Sequence, residues 1–376
     1  MTERELIAFF QDLHRHPELA FGEVRTTEKV RAALRTAGVE MPDIPCFTGL
    51  IAVVRGALPG RVIGLRCDMD ALPVQEESGL PYASCEAGKM HACGHDFHTS
   101  LMLGTALLLQ AGREELRGTV KIAFQPAEEI NQGGRALMET GLLDDVEEFY
   151  APHTYHGFPA GTLGIKEGPV MAAPDRFSVT LRGKGAHAGQ PHKGVDPIPA
   201  LAALVQSLQC IVSREVNAFT PAVLSITRVQ AGSTWNVVPE SAYLEGTVRT
   251  LDNGVRQAIR ASLLRTAEGL AAAHGCTAEC EYEEGPDPVI NDAALCAAAR
   301  DIALEMGFAV ERQEDTMGGE DFSEYLKRAP GVFIRVGTGG GYANHHPRFT
   351  ADPAALWPAA RFFAALARKR AEIQSL

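Results

Sequence analysis

Apolar residues recur along this chain in two alternating rhythms. Leu6, Phe9, Phe10 and Leu13 fall at helical spacing, and a second helix is predicted from about Thr26 to Ala37, where Gly38 stops it. Arg61–Cys67 reads as a short apolar strand running into Asp68-Met69-Asp70. His98–Gln110 reads as an apolar helix closed by Ala111-Gly112, and Thr119–Phe124 as a strand running into Gln125-Pro126-Ala127-Glu128-Glu129. Gly134–Thr140 is a predicted helix ending at Gly141, and Glu148–Tyr150 a predicted strand. Such β/α alternation implies an α/β fold with a mostly parallel sheet and helices on both faces.

The rhythm changes near Pro169–Pro174. Phe177–Arg182 alternates apolar and polar residues, as a half-buried strand does. A helix from Pro197 to Ser213, strands at Ala222–Val229 and Ser241–Thr250, a helix from Val255 to Ala273 and a strand near Glu279–Glu283 follow. This block predicts an inserted α+β domain over 174–288. The rest, a helix at Ala293–Glu305, a strand at Gly331–Gly337 and a terminal helix at Pro353–Ser375, returns to the first pattern. One discontinuous domain over 1–173 and 289–376 is therefore expected, and 376 residues suit two cores better than one.

Composition adds exclusions. The net charge is −12, and no Lys/Arg block supplies the basic face of a nucleic-acid binder. The N-terminal residues lack the basic start and apolar run of a signal peptide. Apolar stretches such as Leu101–Leu109 fall far short of the roughly 20 residues that span a bilayer. A cytoplasmic protein with no membrane partner is expected. None of the eight cysteines forms a C-x-x-C pair, so free thiols are expected, most of them small core residues.

Sites in parallel sheets form at the carboxyl ends of strands. Two predicted strands end in acidic pairs, Asp68/Asp70 and Glu128/Glu129. Either pair alone reads as a solvated turn; two of them, each following an apolar strand, point to one crevice. Between them, His91, Cys93, His95, Asp96 and His98 crowd into eight positions. Cys and His donors suit zinc, manganese or nickel, and Gly94 permits the turn that aims Cys93 and His95 at one centre. Adjacent glutamates can divide labour, one binding metal and one moving a proton. His153, His156, His345 and His346 gain weight only beside such a centre. The glycine-flanked His187 and His192 fit a ligand-binding loop and a flexible hairpin equally well.

These motifs come in a specific order: L-H-R-H-P-E-L-A-F-G-E from Leu13, D-M-D-A-L-P from Asp68, H-A-C-G-H-D from His91 and Q-P-A-E-E from Gln125. There follow G-P-V-M-A-A from Gly168, G-A-H-A-G-Q-P-H from Gly185, N-V-V-P from Asn236, G-G-E-D-F ending at Phe322 and H-H-P-R-F from His345. In that order the chain resembles the aminoacylase/carboxypeptidase-G-type metallopeptidase superfamily over nearly its whole length. It is most similar to the amidohydrolase branch of hippurate hydrolases, N-acyl-L-amino-acid amidohydrolases and auxin-conjugate hydrolases.

The resemblance implies a dinuclear catalytic domain carrying a lid or dimerisation domain, in a homodimer or homotetramer. It implies Cys93, His95, Glu129, His153 and His345 as ligands to two divalent ions (Zn, Mn or Ni), with Asp70 orienting them. Glu128 would be the general base, and His187, reaching into a partner subunit, would steady the oxyanion. Asn236 and Arg249 would bind the substrate, the arginine through its carboxylate. The implied reaction is hydrolysis of an N-acyl amino acid to a carboxylate and an amino acid. Three features depart from or strain the pattern: His156 stands where the family usually has Pro, Cys93 replaces a bridging aspartate of other branches of the superfamily although Cys is usual in this one, and His346 adjoins His345, although the H-x-P-x-F spacing selects His345. A dipeptidase or carboxypeptidase of the same superfamily is the alternative. A non-catalytic binding relative is disfavoured, because Glu128 and the ligand set are all present.

Overall fold

A computed structural model describes residues 1–46 and 48–372, which divide into two units. The first comprises Met1–Val170, Ile290–Glu314 and Asp321–Leu376. Its seven-stranded sheet runs in the order Leu50–Arg55, Arg117–Gln125, Leu58–Asp68, Glu148–Tyr155, Gly331–Gly337, Thr162–Gly164, Ala309–Glu311. The four strands from Arg117–Gln125 to Gly331–Gly337 are mutually parallel; among the described residues, the antiparallel pairings of this sheet are Leu50–Arg55 with Arg117–Gln125 and Thr162–Gly164 with Gly331–Gly337. This is a mixed α/β architecture with a mainly parallel sheet. Glu148–Tyr155 and Gly331–Gly337 are buried along nearly their whole length and Leu58–Asp68 over its second half, which is why these stretches read as apolar runs without alternation.

The His95–Ala111 helix is buried along most of its length and packs with the Leu356–Glu372 helix against this sheet. At the chain start, Thr2 and Glu5 form a reciprocal capping box on the Glu3–Arg15 helix.

Several elements differ from their sequence expectations. The helix expected from His98 begins at His95: Gly94, at φ 84°, turns the chain in the left-handed region, and His98 N–H already donates to Gly94 O at 3.0 Å. His153 lies inside its strand, because parallel pairing of Glu148–Tyr155 with Gly331–Gly337 carries the ladder past Pro152. The helix expected over Gly134–Thr140 spans Gly133–Met138. The terminal helix begins with a 3₁₀ turn at Pro353–Ala355 and continues over Leu356–Glu372; 373–375 of its expected span lie outside the described residues. The three-residue strands Thr162–Gly164 and Ala309–Glu311 are too short for any periodicity to reveal.

The second unit comprises Met171–Val289 and Asp315–Glu320. Its antiparallel sheet is ordered Thr277–Glu283, Ala173–Arg182, Ser241–Thr250, Ala222–Ala231. Burial alternates along Ser241–Thr250, as the sequence pattern requires of a sheet with one covered face. Phe177, Val179, Leu181, Leu244 and Val248 pack there with residues of two helices, Pro197–Cys210 and Asn253–Ala273. The first of these gives way to a π turn at Ile211–Glu215 rather than running on as α-helix to Ser213.

Candidate metal centre

The carboxyl ends of the parallel strands deliver their residues to one edge of the first unit's sheet. Asp70 organises that edge. It accepts the backbone N–H groups of Glu128 (3.1 Å) and Glu129 (3.0 Å) and faces His95 Nδ1 at 3.2 Å. The Glu128–Ile130 3₁₀ turn that results needs left-handed backbone at Ala127 (φ 53°) and Asn131 (φ 56°). Ala127 N–H is held there by Glu23 Oε1 at 2.9 Å, so buried carboxylates on two other segments define the turn.

With Nδ1–H donated to Asp70, His95 turns Nε2 into the site, and this fully buried nitrogen has no hydrogen-bond partner. Around it stand Glu129 Oε1 at 3.8 Å and Glu128 Oε2 at 3.9 Å. Glu129 Oε1 is likewise buried without a hydrogen-bond partner and lies 3.5 Å from His345 Nε2. Cys93 Sγ is 3.6 Å from His153 Nε2.

Three sets of donors gather with all their ligand atoms within 4.8 Å of one another: Cys93–His95–His153, Cys93–Glu129–His345 and His95–Glu128–Glu129. Cys93 is common to the first two. Asp68–His95–His98 meets the same limit, but His98 is already committed. Its Nε2 accepts Thr154 N–H at 2.7 Å and its Nδ1 meets Asp68 Oδ1 at 2.5 Å, which fixes it as a neutral imidazole with Nδ1–H on Asp68.

The electrostatics favour a cation. Burial pushes the Cys93 thiol up to about 12, with Glu129 adding to it, and pushes the Glu129 carboxyl up to about 7. Burial opposes charge on His95 too, yet Asp68, Cys93 and Asp70 outweigh it and hold that imidazole well above its ordinary range. Burial and the neighbouring Arg335 guanidinium keep His153 neutral, well below its ordinary range. Buried sulfur, nitrogen and oxygen donors, two of whose atoms lack any hydrogen-bond partner, are what a divalent transition-metal ion would satisfy. A bound cation would reverse the upward shifts of thiol and carboxyl. The residues present therefore fit the dinuclear centre that the motifs implied.

His345 takes left-handed backbone (φ 69°) and is anchored by its N–H to Ala92 O at 2.8 Å. His346 turns away: its ring stacks on Tyr342 at 4.5 Å and its Nδ1 accepts Arg348 N–H at 3.0 Å. His156 leans on the Tyr155 ring at 5.3 Å and joins none of the donor groups found among the described residues.

His187, Asn236 and Arg249 lie on the second unit. His187 pairs in a two-residue ladder with Val237, and Ala188 N–H donates to Asn236 O at 3.0 Å, so His187 and Asn236 share one loop pair. Gly189 N–H donates to His187 Nδ1 at 3.0 Å, which leaves the proton of the neutral ring on Nε2. Arg249 sits apart from them on Ser241–Thr250, half-buried, its Nε donating to Thr247 Oγ1 at 3.0 Å.

Sequence reasoning missed the supporting network. Arg66, fully buried, donates to Asp68 (2.7 Å), Asp321 (2.8 Å) and Gln125 (2.9 Å), and Asp321 also accepts Gly134 N–H at 2.8 Å. An arginine inside an otherwise apolar strand was the available signal, because such a charge is buried only when paired. Thr154 and Asn344, which carry no motif signature, went unnoticed.

Residues 64–369 match the sequence pattern of "Peptidase family M20/M25/M40". The chain is 47% identical over 363 residues to an N-acetylcysteine deacetylase of Bacillus subtilis (strain 168), covering 96% of each. It is 42% identical over 360 residues to an N-acetyl-L-cysteine deacetylase of the same organism, covering 96% of this chain and 86% of that protein. A solved dinuclear metal-binding peptidase from Bacillus subtilis superposes with a TM-score of 0.90 at 44% identity, covering 98% of both chains. The chain belongs to peptidase family M20/M25/M40.

Proposed function

We propose that this protein is a two-metal amidohydrolase that cleaves N-acyl amino acids, N-acetyl amino acids among them, to a carboxylate and a free amino acid. The observation that carries the reading is the convergence of Cys93, His95, Glu129, His153 and His345 around buried, unpartnered donor atoms, with Glu128 at their side. The kinship to two deacetylases of N-acetylated cysteine supports the acyl amino acid as substrate class.

In this reading Cys93, His95, Glu129, His153 and His345 would together hold the two ions. The ions are Zn, Mn or Ni, all of which accept such donors. When bound, such a pair supplies Lewis acidity, lowering the pKa of water toward neutrality and polarising the acyl carbonyl. Asp70 holds His95 by Nδ1–H and fixes the Glu128–Glu129 turn by two backbone N–H groups. Glu128 takes a proton from the attacking water and returns it to the leaving amine as the C–N bond breaks. His187 presents Nε2–H as donor to the developing oxyanion, the tautomer that Gly189 enforces. Asn236 and Arg249 receive the substrate, the guanidinium pairing with its carboxylate.

The discontinuous segment 1–173 and 289–376 forms the catalytic domain, and 174–288 is a lid and dimerisation domain whose His187 serves the partner of a homodimer or homotetramer. The protein acts in the cytoplasm; among the described residues no helix is long and apolar enough to cross a membrane.

The test is hydrolysis of N-acetylmethionine, N-acetylcysteine, N-benzoylglycine and a set of dipeptides, with Zn²⁺ or Mn²⁺ added and with chelator. Metal-dependent release of amino acid from the acyl substrates is expected. Metal-dependent cleavage of the dipeptides alone would replace this reading with a dipeptidase.

A further inference from the structure

One side chain next to the proposed ligands has no assigned task. Asn344 precedes His345, and its half-buried carboxamide points at Cys93. Asn344 Nδ2 lies 3.0 Å from Cys93 O, 3.6 Å from Cys93 Sγ and 3.3 Å from Thr154 Oγ1. The amide orientation follows from its neighbours. Cys93 O can only accept, and Thr154 Oγ1 has spent its single proton on that same carbonyl at 2.8 Å. Both oxygens facing the amide are therefore acceptors, so the NH₂ group and not the oxygen is turned inward.

We propose that Asn344 is a positioning residue for the metal centre: its NH₂ group donates to the Cys93 carbonyl and sulfur, fixing the direction of the thiolate lone pairs and coupling the Cys93 loop to the His345 loop through Thr154. The inference rests on the two-metal reading above, with Cys93 as a ligand. Thr154 completes the coupling. Its N–H donates to His98, its hydroxyl to Cys93 O, and its carbonyl faces His153 Nδ1 at 2.9 Å. Segments bearing Cys93, His153 and His345 thus meet at one amide and one hydroxyl. Groups that orient metal ligands are worth roughly 10- to 100-fold in metal affinity, and an N–H donor to a thiolate withdraws charge from the sulfur that would bind metal.

The experiment is a Co²⁺ titration of the chelator-treated full chain, reading the near-ultraviolet sulfur-to-cobalt charge-transfer band and, separately, affinity by competition with a chromophoric chelator. Wild type is expected to show the band and Cys93→Ser to lose it. Asn344→Ala is expected to shift the band and weaken Co²⁺ binding by about 10-fold or more. Asn344→Asp keeps the side chain's volume but turns an acceptor toward Cys93 in place of the donor, so it is expected to shift the band as Asn344→Ala does; its added negative charge favours the cation, so only the band is read from it. Circular dichroism of each variant checks folding, and the isosteric Asp variant decides the matter should Ala disturb the loop. Wild-type band and affinity in Asn344→Ala, or a wild-type band in Asn344→Asp, would overturn the role of Asn344 while leaving Cys93 as a ligand. A wild-type titration with no band sensitive to Cys93→Ser would overturn the metal-centre reading and this inference with it.

Discussion

At the scale of single residues, two adjacent glutamates carry different burdens. Glu129 sits in both Cys93–Glu129–His345 and His95–Glu128–Glu129, whereas Glu128 sits in the latter, facing His95, and in a group with Glu320 and Asp321 that holds neither cysteine nor histidine. Glu128→Gln keeps the shape and removes the base. A loss of about 10²- to 10⁴-fold in kcat is expected, with bound metal per chain, measured by atomic emission, unchanged. Glu129→Gln should instead lose metal. A pH effect lies farther off, at His14. Its Nδ1 meets Asp96 at 2.7 Å and its Nε2 meets Glu76 at 3.2 Å. Burial opposes its charge, but Asp96 and Glu76 outweigh burial and raise it to about 9 from an ordinary value near 6.5. A raised folded-state value contributes stability that is complete below about 6.5 and is lost as pH climbs through about 9. Urea unfolding of wild type against His14→Gln should show a gap near pH 6 that closes by about pH 9.5. A gap independent of pH would show that His14 contributes by packing alone.

At the scale of elements, the centre depends on how loops leave strands and enter helices. Gly94 does this for the His95–Ala111 helix. Its φ is 84°, and an added Cβ would lie 2.7 Å from Thr154 Oγ1 and 3.3 Å from the Phe349 ring. Gly94→Ala should therefore cost roughly 1–2 kcal/mol from left-handed backbone alone, more once Thr154 is displaced, and metal affinity should fall with stability because Cys93 and His95 flank the turn. Chemical denaturation and a metal titration on the same sample check this; loss of stability with unchanged affinity would separate the turn from the site. A comparable tight approach occurs in the sheet, where a Cβ on Gly64 would fall 2.3 Å from the Phe149 ring. The strand tolerates glycine there because a neighbouring aromatic fills the space.

At the scale of the whole molecule, each of the two units has its own apolar core. Each also contains an arginine paired with carboxylates. In the first, Arg66 neutralises Asp68 and Asp321 out of reach of water. In the second, Arg256 holds Asp175 and Asp287. Breaking such a pair leaves a buried charge uncompensated, at about 3–5 kcal/mol. Arg66→Met is expected to lower unfolding stability by that amount, read by urea denaturation in chelator, so that any effect on metal is excluded. Metal itself should act on the whole fold: at a free concentration a hundredfold above Kd it should add about 2.7 kcal/mol, seen as a thermal midpoint that rises with added Zn²⁺ or Mn²⁺. No rise with either ion would count against the metal centre.

The sequence by itself determined which segments become buried strands and helices, because full burial of parallel strands demands continuous apolar runs and half-burial of antiparallel ones demands alternation. It also determined which residues could carry the chemistry, since Cys93, His95 and the Glu128–Glu129 pair are chemically conspicuous where they stand. Tertiary structure decided the rest. That Asp68 is spent on His98 while Asp70 shapes the glutamate turn follows from contacts between segments about 30 to 60 residues apart. That His345 rather than His346 faces Glu129 is decided by left-handed backbone and a ring stacked on Tyr342. Thr154 and Asn344 bear no motif and no charge, and their importance exists only as hydrogen-bond geometry. Local patterning records burial, which each residue meets on its own; it does not record the direction of a lone pair or of an N–H, which is set by whatever distant segment the fold brings opposite.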